Sequence, residues 1–273
     1  QAKWSDKLAN GFRYSVGVAL SDDKAKVVSY PSNPTNKIGD GVLYKGYTVG
    51  DIWGYVTGGI LQEGDFDGVG ANGKPLYHGP YFKGGQAYPG YIWYQDLDHD
   101  GVITTGLNTV DDPGDRKVIG NNAPRYRYNI TANFQYKGFD LDLMFQGVGK
   151  RDYWLSSTSS YWGNGAGSWE VYNNSWTPER TDAKFPMYGS GIGSYAQSGY
   201  LLDASYIKLK QVILGYTFPR ALINKIGLEK LRLNLAAYNL FTISDMPKYY
   251  DADYLSDAYP PKRTFSVGIQ VGF

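Results

Sequence analysis

The chain has 273 residues, with 27 basic and 26 acidic side chains, and it contains no cysteine. The near-zero net charge gives no reason to expect nucleic-acid binding, and the absence of cysteine excludes a disulfide scaffold and a thiolate metal site. No apolar run is long enough for a transmembrane helix, and 26 tyrosines with 35 glycines are typical of a β protein with long loops. From the missing initiator methionine we expect a carboxy-terminal piece of a longer protein.

Six segments alternate apolar and polar residues with the period of a β-strand. The predicted strands are 11–21, 126–137, 139–149, 205–218, 230–241 and 264–273. In the last of them, every odd position from Phe265 to Phe273 is a large apolar residue, whereas the even positions are polar or glycine. Each predicted strand therefore has one apolar and one polar face.

Two local features fix the expected register of these strands. Lys137-Gly138 predicts a two-residue hairpin, which places Tyr136 opposite Phe139 on the apolar face. Between residues 205 and 218 the apolar residues change from odd to even positions, so we expect a β-bulge near Lys210-Gln211.

The connections between the predicted strands fall into two length classes. The long ones (22–125, 150–201 and 242–263) lie at one end of an antiparallel sheet, and the short ones (137–138 and 219–229) lie at the other. The first long connection is far above ordinary loop length, so it is functional or contains small strands of its own. Short periplasmic turns and long extracellular loops are typical of outer-membrane barrels.

We therefore predict an all-β, antiparallel transmembrane β-barrel that contacts the lipid bilayer. Six strands supply only part of its wall, because an open half-barrel in lipid would leave unpaired strand edges. The alternative is a secreted β-sandwich or lectin-like, glycan-binding module, in which the apolar faces pack together as a core.

The sharpest chemical motif is D-x-D-x-D-G, from Asp96 to Gly101. The carboxylates of Asp96, Asp98 and Asp100, with the carbonyl of Val102, would surround one hard cation, Ca²⁺ in preference to Mg²⁺. The twelfth position of the loop is Leu107, so the usual bidentate acid is missing there. The alternative is an Asp/Gly turn with no bound metal.

Aromatic residues in the loops are candidates for substrate binding, because they can stack on sugars or line a peptide path. The candidates are Trp53, Trp93, Tyr94, Trp162 and Trp169. The alternative is that they pack the loops together or against a partner. The two histidines, His78 and His99, have no partner pattern for a triad or a zinc site, so we do not expect an enzyme. Asp140 and Asp142 leave a glycoside hydrolase as a distant third hypothesis.

Several motifs resemble those of the SusC/RagA family of TonB-dependent transporters, and they occur in the family's order. The motifs are Gly54-Tyr55 to Gly59-Ile60, Trp176-Thr177-Pro178-Glu179, Asp203 to Lys210 with Leu214-Gly215-Tyr216, Asn239-Leu240-Phe241-Thr242, and Tyr259-Pro260 to Phe273. Gly58 stands where the family has an aspartate, and residues 243–255 depart from its G-x-D-P-E pattern.

The resemblance implies a fold and a role for the chain. Such transporters have barrels of about 22 strands in the outer membrane of Gram-negative bacteria. An amino-terminal plug occludes the barrel, a SusD-like lipoprotein caps it, and TonB energises the uptake of oligosaccharides or peptides. This chain would supply the last six strands, while the plug and the TonB-contacting segment would lie upstream.

The resemblance also adds one expected metal ligand. The family's D-x-N-G-D-G stretch ends in Asp-Arg, which Asp115-Arg116 matches after a short insertion. We therefore expect Asp115 to be the displaced ligand of a structural Ca²⁺ site, with Asp111 or Asp112 as alternatives.

Overall fold

The structure is a computed structural model that describes residues 1–156, 162, 167–248, 250–255 and 261–273. The predicted loops 150–201 and 242–263 and the Tyr259-Pro260 motif lie partly or wholly outside these residues. The chain forms two compact units. The sheet unit comprises Gln1–Asp23, Pro124–Arg151 and Asp203–Phe273, and the loop unit comprises Lys24–Ala123 and Asp152–Leu202.

Strands dominate the secondary structure of the described residues. In chain order the strands are β1 (Ala2–Lys7), β2 (Arg13–Ser21), β3 (Asp51–Tyr55), β4 (Thr57–Ile60), β5 (Phe66–Val69), β6 (Pro75–Tyr77), β7 (Tyr81–Phe82), β8 (Ile92–Tyr94), β9 (Val102–Ile103), β10 (Arg116–Asn121), β11 (Arg125–Tyr136), β12 (Phe139–Lys150), β13 (Asp152–Tyr153), β14 (Leu202–Asp203), β15 (Tyr206–Thr217), β16 (Lys230–Ser244) and β17 (Thr264–Gly272). The helices are α1 (Trp169–Asn173) and α2 (Arg220–Ile223), with 3₁₀ turns at Glu63–Asp65, Ser198–Tyr200 and Asn224–Ile226. In this part of the chain no helix has the length and apolar character needed to cross a bilayer.

The sheet unit is built on one seven-stranded antiparallel sheet, in the order β1-β2-β11-β12-β15-β16-β17. Each strand therefore pairs with the next one along the chain within this sheet. All long connections leave from one end of the sheet and all short ones from the other. This sorting is the one expected from the sequence.

The sequence prediction missed one strand of this sheet and simplified one loop. β1 pairs with β2 from Ala2 to Lys7, but Asp6 stands at a position of its apolar face, so only Ala2 and Trp4 carry the alternation. The predicted loop 22–125 contains eight short strands, β3 to β10. β16 continues to Ser244, three residues beyond its predicted end.

The hairpin and the bulge are where the sequence places them. Tyr136 pairs with Phe139, and both turn residues, Lys137 and Gly138, have positive φ (47° and 88°), as a type I′ turn requires. Lys210 has no partner in either neighbouring strand, because the register of β15 passes directly from Leu209 to Gln211. The bulge shifts the alternation of β15 by one residue. As a result, the apolar side chains before and after the bulge lie on the same face of the sheet.

The loop unit has a core rich in tyrosine. Tyr55, Phe82 and Tyr94 pack with ring centroids 5.2 to 5.5 Å apart. The fully buried Gln197 donates to the Ile192 carbonyl at 2.8 Å and accepts from the Thr57 hydroxyl at 3.1 Å. These aromatic rings and the hydrogen-bonded Gln197 give the loop unit a packed core, as expected of a folded unit. The eight short strands β3 to β10 belong to this unit.

Candidate functional site

One face of the seven-stranded sheet is apolar and open to solvent. Its side chains align from strand to strand, as in the row Leu214, Leu235 and Val267. Val267 is 76% exposed and Leu235 53%. Other exposed members are Trp4, Val18, Leu20, Phe139, Leu233, Phe265, Ile269 and Val271. Soluble monomers rarely expose apolar patches of this extent, so this face needs an apolar environment.

The opposite face of the sheet is polar, and its carboxylates are engaged. Arg232 donates to both oxygens of Asp140 at 2.6 and 2.7 Å, reaching from β16 to β12 across Gly215 of β15. A Cβ at Gly215 would lie 2.4 Å from the Arg232 guanidinium, so glycine leaves room for this pair. Asn133 donates to Asp142. Both carboxylates therefore have a hydrogen-bond donor on this face of the sheet.

A buried ion cluster joins β15 to the connection that follows β16. Lys208 is 1% exposed and contacts both oxygens of Asp251, while Lys210 contacts Asp253 at 2.7 Å. The Tyr206 hydroxyl donates to Asp253 at 2.6 Å. Burial opposes the ionised form of Asp253, but the hydrogen bonds from Lys210 and Tyr206 outweigh it and lower the pKa of this carboxyl. No motif or spacing in the sequence indicates this cluster.

The aspartate loop lies between β8 and β10 in the loop unit. Asp96 accepts from the backbone N–H groups of His99 and Gly101 at 2.7 and 2.8 Å. Asp115 is fully buried and accepts from Leu97 and Thr104 at 2.8 and 2.7 Å, which closes the loop around it.

Three of the predicted ligands lie together in this loop. Asp96, Asp98 and Asp115 each have one carboxylate oxygen within 4.8 Å of the others. Oxygens that share a Ca²⁺ at 2.3–2.6 Å are separated by up to about 5 Å. Loss of hydration within the loop and the neighbouring carboxylates of Asp115, Asp100 and Asp96 raise the pKa of the exposed Asp98. Asp100, Asp111 and Asp112 are outside this group of three, which among the described residues makes Asp115 the best placed of the proposed distal ligands.

The five aromatic candidates do not form one surface. Trp53 donates to the Tyr44 hydroxyl at 2.9 Å, and the Trp93 ring covers Gly58, where a Cβ would lie 2.3 Å from it. Tyr94 is buried, and this burial raises its pKa strongly. Trp162 is 3% exposed and donates to the Leu155 carbonyl at 2.6 Å. Trp169 is 76% exposed, with the Tyr172 ring 5.8 Å away.

Comparison with known proteins identifies the relatives of this chain. A TonB-dependent receptor from Formosa agariphila, P3, is 29% identical over 289 residues, which is 96% of this chain and 27% of that protein. The chain is similar to TonB-dependent receptors. SusC of Bacteroides thetaiotaomicron, also a TonB-dependent receptor, is 26% identical over 241 residues, or 80% of this chain and 23% of SusC. No protein-family model matches the chain.

Solved structures agree with the fold expected for a TonB-dependent receptor. The structure of the RagAB peptide transporter aligns with this chain with a TM-score of 0.63 and 17% sequence identity. The alignment covers 99% of this chain and 28% of the transporter chain. The antiparallel β-barrel fold class is confirmed. The chain spans about a quarter of the length of the curated relatives it matches.

The motifs that resemble those of the SusC/RagA family coincide with structural junctions. Asp203 to Lys210 leads into β15 and supplies the buried Lys208. Asn239 has a positive φ of 54°. It lies in β16 between the partners of Leu209 and Gln211, where the pairing register with β15 shifts at the Lys210 bulge. Thr177 and Arg180 form a small antiparallel bridge at the Trp-Thr-Pro-Glu motif. These three motifs therefore coincide with a bulge, an ion cluster and a turn.

Proposed function

We propose that the chain forms part of the wall of a TonB-dependent outer-membrane nutrient importer. The observation that carries this proposal is the exposed apolar face of the seven-stranded sheet, which lies opposite a polar face. In a barrel, the first face contacts lipid and the second lines a water-filled lumen. β12 and β15 have twelve residues each, so at a tilt of about 45° they rise about 28 Å, enough for an apolar band of about 25 Å.

The sheet requires further strands to close it. Within the described residues, β1 and β17 each pair with one strand only. Unsatisfied backbone groups at a strand edge in lipid cost several kcal/mol each, so both edges need partners. We expect these from the rest of the same barrel. Its plug, its contact with TonB and a SusD-like surface lipoprotein are expected from the resemblance to SusC-type receptors.

The proposed activity is gated import without catalysis. The relatives are receptors and transporters, and the carboxylates on the polar face are bound to Arg232 and Asn133. The cargo we propose is an oligosaccharide or a peptide. Isolation of the intact complex, with identification of the co-purified chains and bound solute, tests both the cargo and the lipoprotein partner.

Membrane dependence tests the proposal against the lectin-like alternative. The intact protein should fractionate with outer membranes and stay monodisperse only in detergent or a bilayer. Brominated phospholipids should quench part of its tryptophan fluorescence, and Trp4→Phe should reduce that part, because Trp4 is 67% exposed on the apolar face. A protein that is monomeric in plain buffer and unaffected by the lipid quencher would support the lectin-like module.

We also propose a structural Ca²⁺ ion in the aspartate loop. Asp96, Asp98 and Asp115 present oxygens at a spacing that suits this ion, and Asp100 with the Val102 carbonyl completes the proposed set. The ion would offset the mutual repulsion of these carboxylates and fix the loop between β8 and β10. Its role is to order the loop unit.

Among the aromatic candidates, Trp169 is the one for which we propose contact with the cargo. Stacking on a sugar or a peptide side chain needs an accessible ring, and Trp169 has the greatest exposure of the five candidates. Trp169→Ala should weaken cargo binding by the intact complex, while Trp53→Phe should leave it unchanged. Equal cargo binding by the Trp169→Ala protein and the parent would remove Trp169 from the site.

A further inference from the structure

The connection between β15 and β16 carries exposed apolar and basic side chains close together. It contains α2 and the 3₁₀ turn Asn224–Ile226, and Gly227 ends it in the left-handed conformation at φ 74°. Ile223 is buried, whereas Leu222 and Ile226 are 57% and 68% exposed. Leu222 and Ile226 are therefore the two large exposed apolar side chains of this connection, and we call them its apolar tip.

The neighbouring hairpin turn adjoins this connection. The Thr217 N–H donates to the Gly138 carbonyl at 2.8 Å. A Cβ at Gly138 would lie 2.7 Å from the Thr217 carbonyl oxygen, so the two backbones are in close contact. We call residues 218–229 together with the Lys137-Gly138 turn the turn rim.

The turn rim has an excess of unpaired positive charge. Arg220 and Lys225 are exposed on the connection, and Lys137 stands on the hairpin turn. None of the three forms an ion pair with a described residue. The single acidic residue of the rim sequence is Glu229. The rim is therefore suited to an anionic ligand.

Aromatic side chains lie where the apolar face of the sheet meets the turn rim. Phe139 and Tyr216 have ring centroids 4.4 Å apart, and Tyr216 and Phe218 are 4.8 Å apart. Lys137 Nζ lies 5.1 Å from the centroid of the Tyr136 ring. A belt of aromatic residues between an apolar band and basic groups is typical of the level at which headgroups begin.

We propose that the turn rim binds the phosphate headgroups of anionic phospholipids. Leu222 and Ile226 enter the boundary of the acyl chains, and Arg220, Lys225 and Lys137 bind phosphate oxygens through charge-assisted hydrogen bonds. The inference rests on the proposed function, because the apolar face must contact lipid for the rim to reach the headgroups. It adds a lipid preference that a barrel wall alone does not require.

The test compares lipid selectivity in the intact protein. The protein is reconstituted into phosphatidylcholine vesicles, and the boundary fractions of spin-labelled phosphatidylglycerol and phosphatidylcholine are measured by electron paramagnetic resonance. We expect a preference for phosphatidylglycerol that falls by about threefold or more in Lys137→Gln/Arg220→Gln/Lys225→Gln and weakens with salt. Lys24→Gln/Lys26→Gln/Lys45→Gln, which removes the same charge from the loop unit, should keep the preference.

The controls separate a failure of this inference from a failure of the proposed function. The variant Lys137→Arg/Arg220→Lys/Lys225→Arg should keep the preference, which shows that charge, and not an altered fold, is responsible. A protein that inserts and immobilises phosphatidylcholine but shows no preference, or loses it equally in the loop-unit control, overturns the rim inference alone. A protein that immobilises no lipid of either kind overturns the proposed function.

Discussion

The ammonium group of Lys208 lies 2.8 and 2.7 Å from the two carboxylate oxygens of Asp251, and the Lys208 side chain is 1% exposed. A buried charge that loses its partner keeps its full desolvation cost. We therefore expect Lys208→Met to destabilise the protein by about 3 kcal/mol or more. Urea unfolding of the intact protein in detergent micelles, followed by tryptophan fluorescence, measures this loss.

Lys210 supplies the matched control for this prediction. It pairs with Asp253, but its side chain is 29% exposed, so Lys210→Met should cost only about 1 kcal/mol. The double variant Lys208→Met/Asp251→Leu should recover much of the loss, because it removes both charges of the pair. Equal losses for the two single lysine variants would contradict the distinction between the pairs.

A second ion pair predicts a dependence of stability on pH. Arg125 donates to both oxygens of Asp22 at 2.5 and 2.6 Å, and this bond lowers the pKa of Asp22 from 3.8 to about 2. Because the folded pKa is the lower one, the contribution of the pair is fully present above about pH 4 and is lost as the pH falls towards 2. The stability of the parent should therefore fall more steeply over this range than that of Asp22→Asn.

Asp40→Asn is the charge-matched control for the pH experiment, since Asp40 forms no ion pair with a described residue. It should follow the parent at every pH. The interpretation fails if Asp22→Asn and the parent lose stability in parallel between pH 4 and pH 2.

The sheet was predictable because its determinants are local or periodic. Alternation identifies the faces of six strands, and the two-residue turn fixes the register of Tyr136 against Phe139. The change of phase at Lys210 locates a bulge without any knowledge of its partners. β1 was not predictable in this way, because Asp6 interrupts its apolar positions and pairing with β2 overrides the weak pattern.

The ion cluster and the loop unit depend on contacts between distant parts of the chain. Lys208 meets Asp251, which is 43 residues away, and no spacing rule links them. Among the five aromatic candidates, the sequence could not separate the exposed Trp169 from the buried Trp162, since both stand in segments rich in glycine and serine. The length of the first long connection indicated that it was functional or contained small strands, but it gave no indication of how such strands would pair.

The aspartate loop predicts a response to chelation. Ca²⁺ should protect the intact protein from proteolysis near residues 96–115, and EDTA should remove this protection, because the clustered carboxylates then repel each other. Asp98→Asn should abolish the effect of Ca²⁺ while leaving in place the hydrogen bonds that Asp115 accepts from the Leu97 and Thr104 N–H groups. Limited proteolysis with mass-spectrometric mapping of the cuts measures both.

Asp111→Asn is the control for the metal site, because Asp111 is exposed and outside the group formed by Asp96, Asp98 and Asp115. It should respond to Ca²⁺ like the parent. Cleavage that is identical with Ca²⁺ and with EDTA in the parent protein would mean that the loop is an Asp/Gly turn without a metal.

β17 offers a direct comparison of the two faces of the sheet. Val267 is 76% exposed on the apolar face and pairs with Leu235, whereas its neighbour Ser266 faces the other way. An arginine near the middle of a lipid-facing strand costs about 2–4 kcal/mol. Val267→Arg should therefore decrease the free energy of unfolding of the intact protein in vesicles by about this amount. Urea titration of vesicle-bound protein, with heat-modifiable migration as the folding signal, measures the change.

Ser266→Arg should have little effect in the same experiment, because a water-filled lumen accepts a charged side chain. The two variants add the same charge one residue apart, so their difference reports the environment of each face and not the position along the strand. If Val267→Arg is tolerated as well as Ser266→Arg, the apolar face does not contact lipid. In that case the sheet would have to bury this face against protein, as the lectin-like alternative requires.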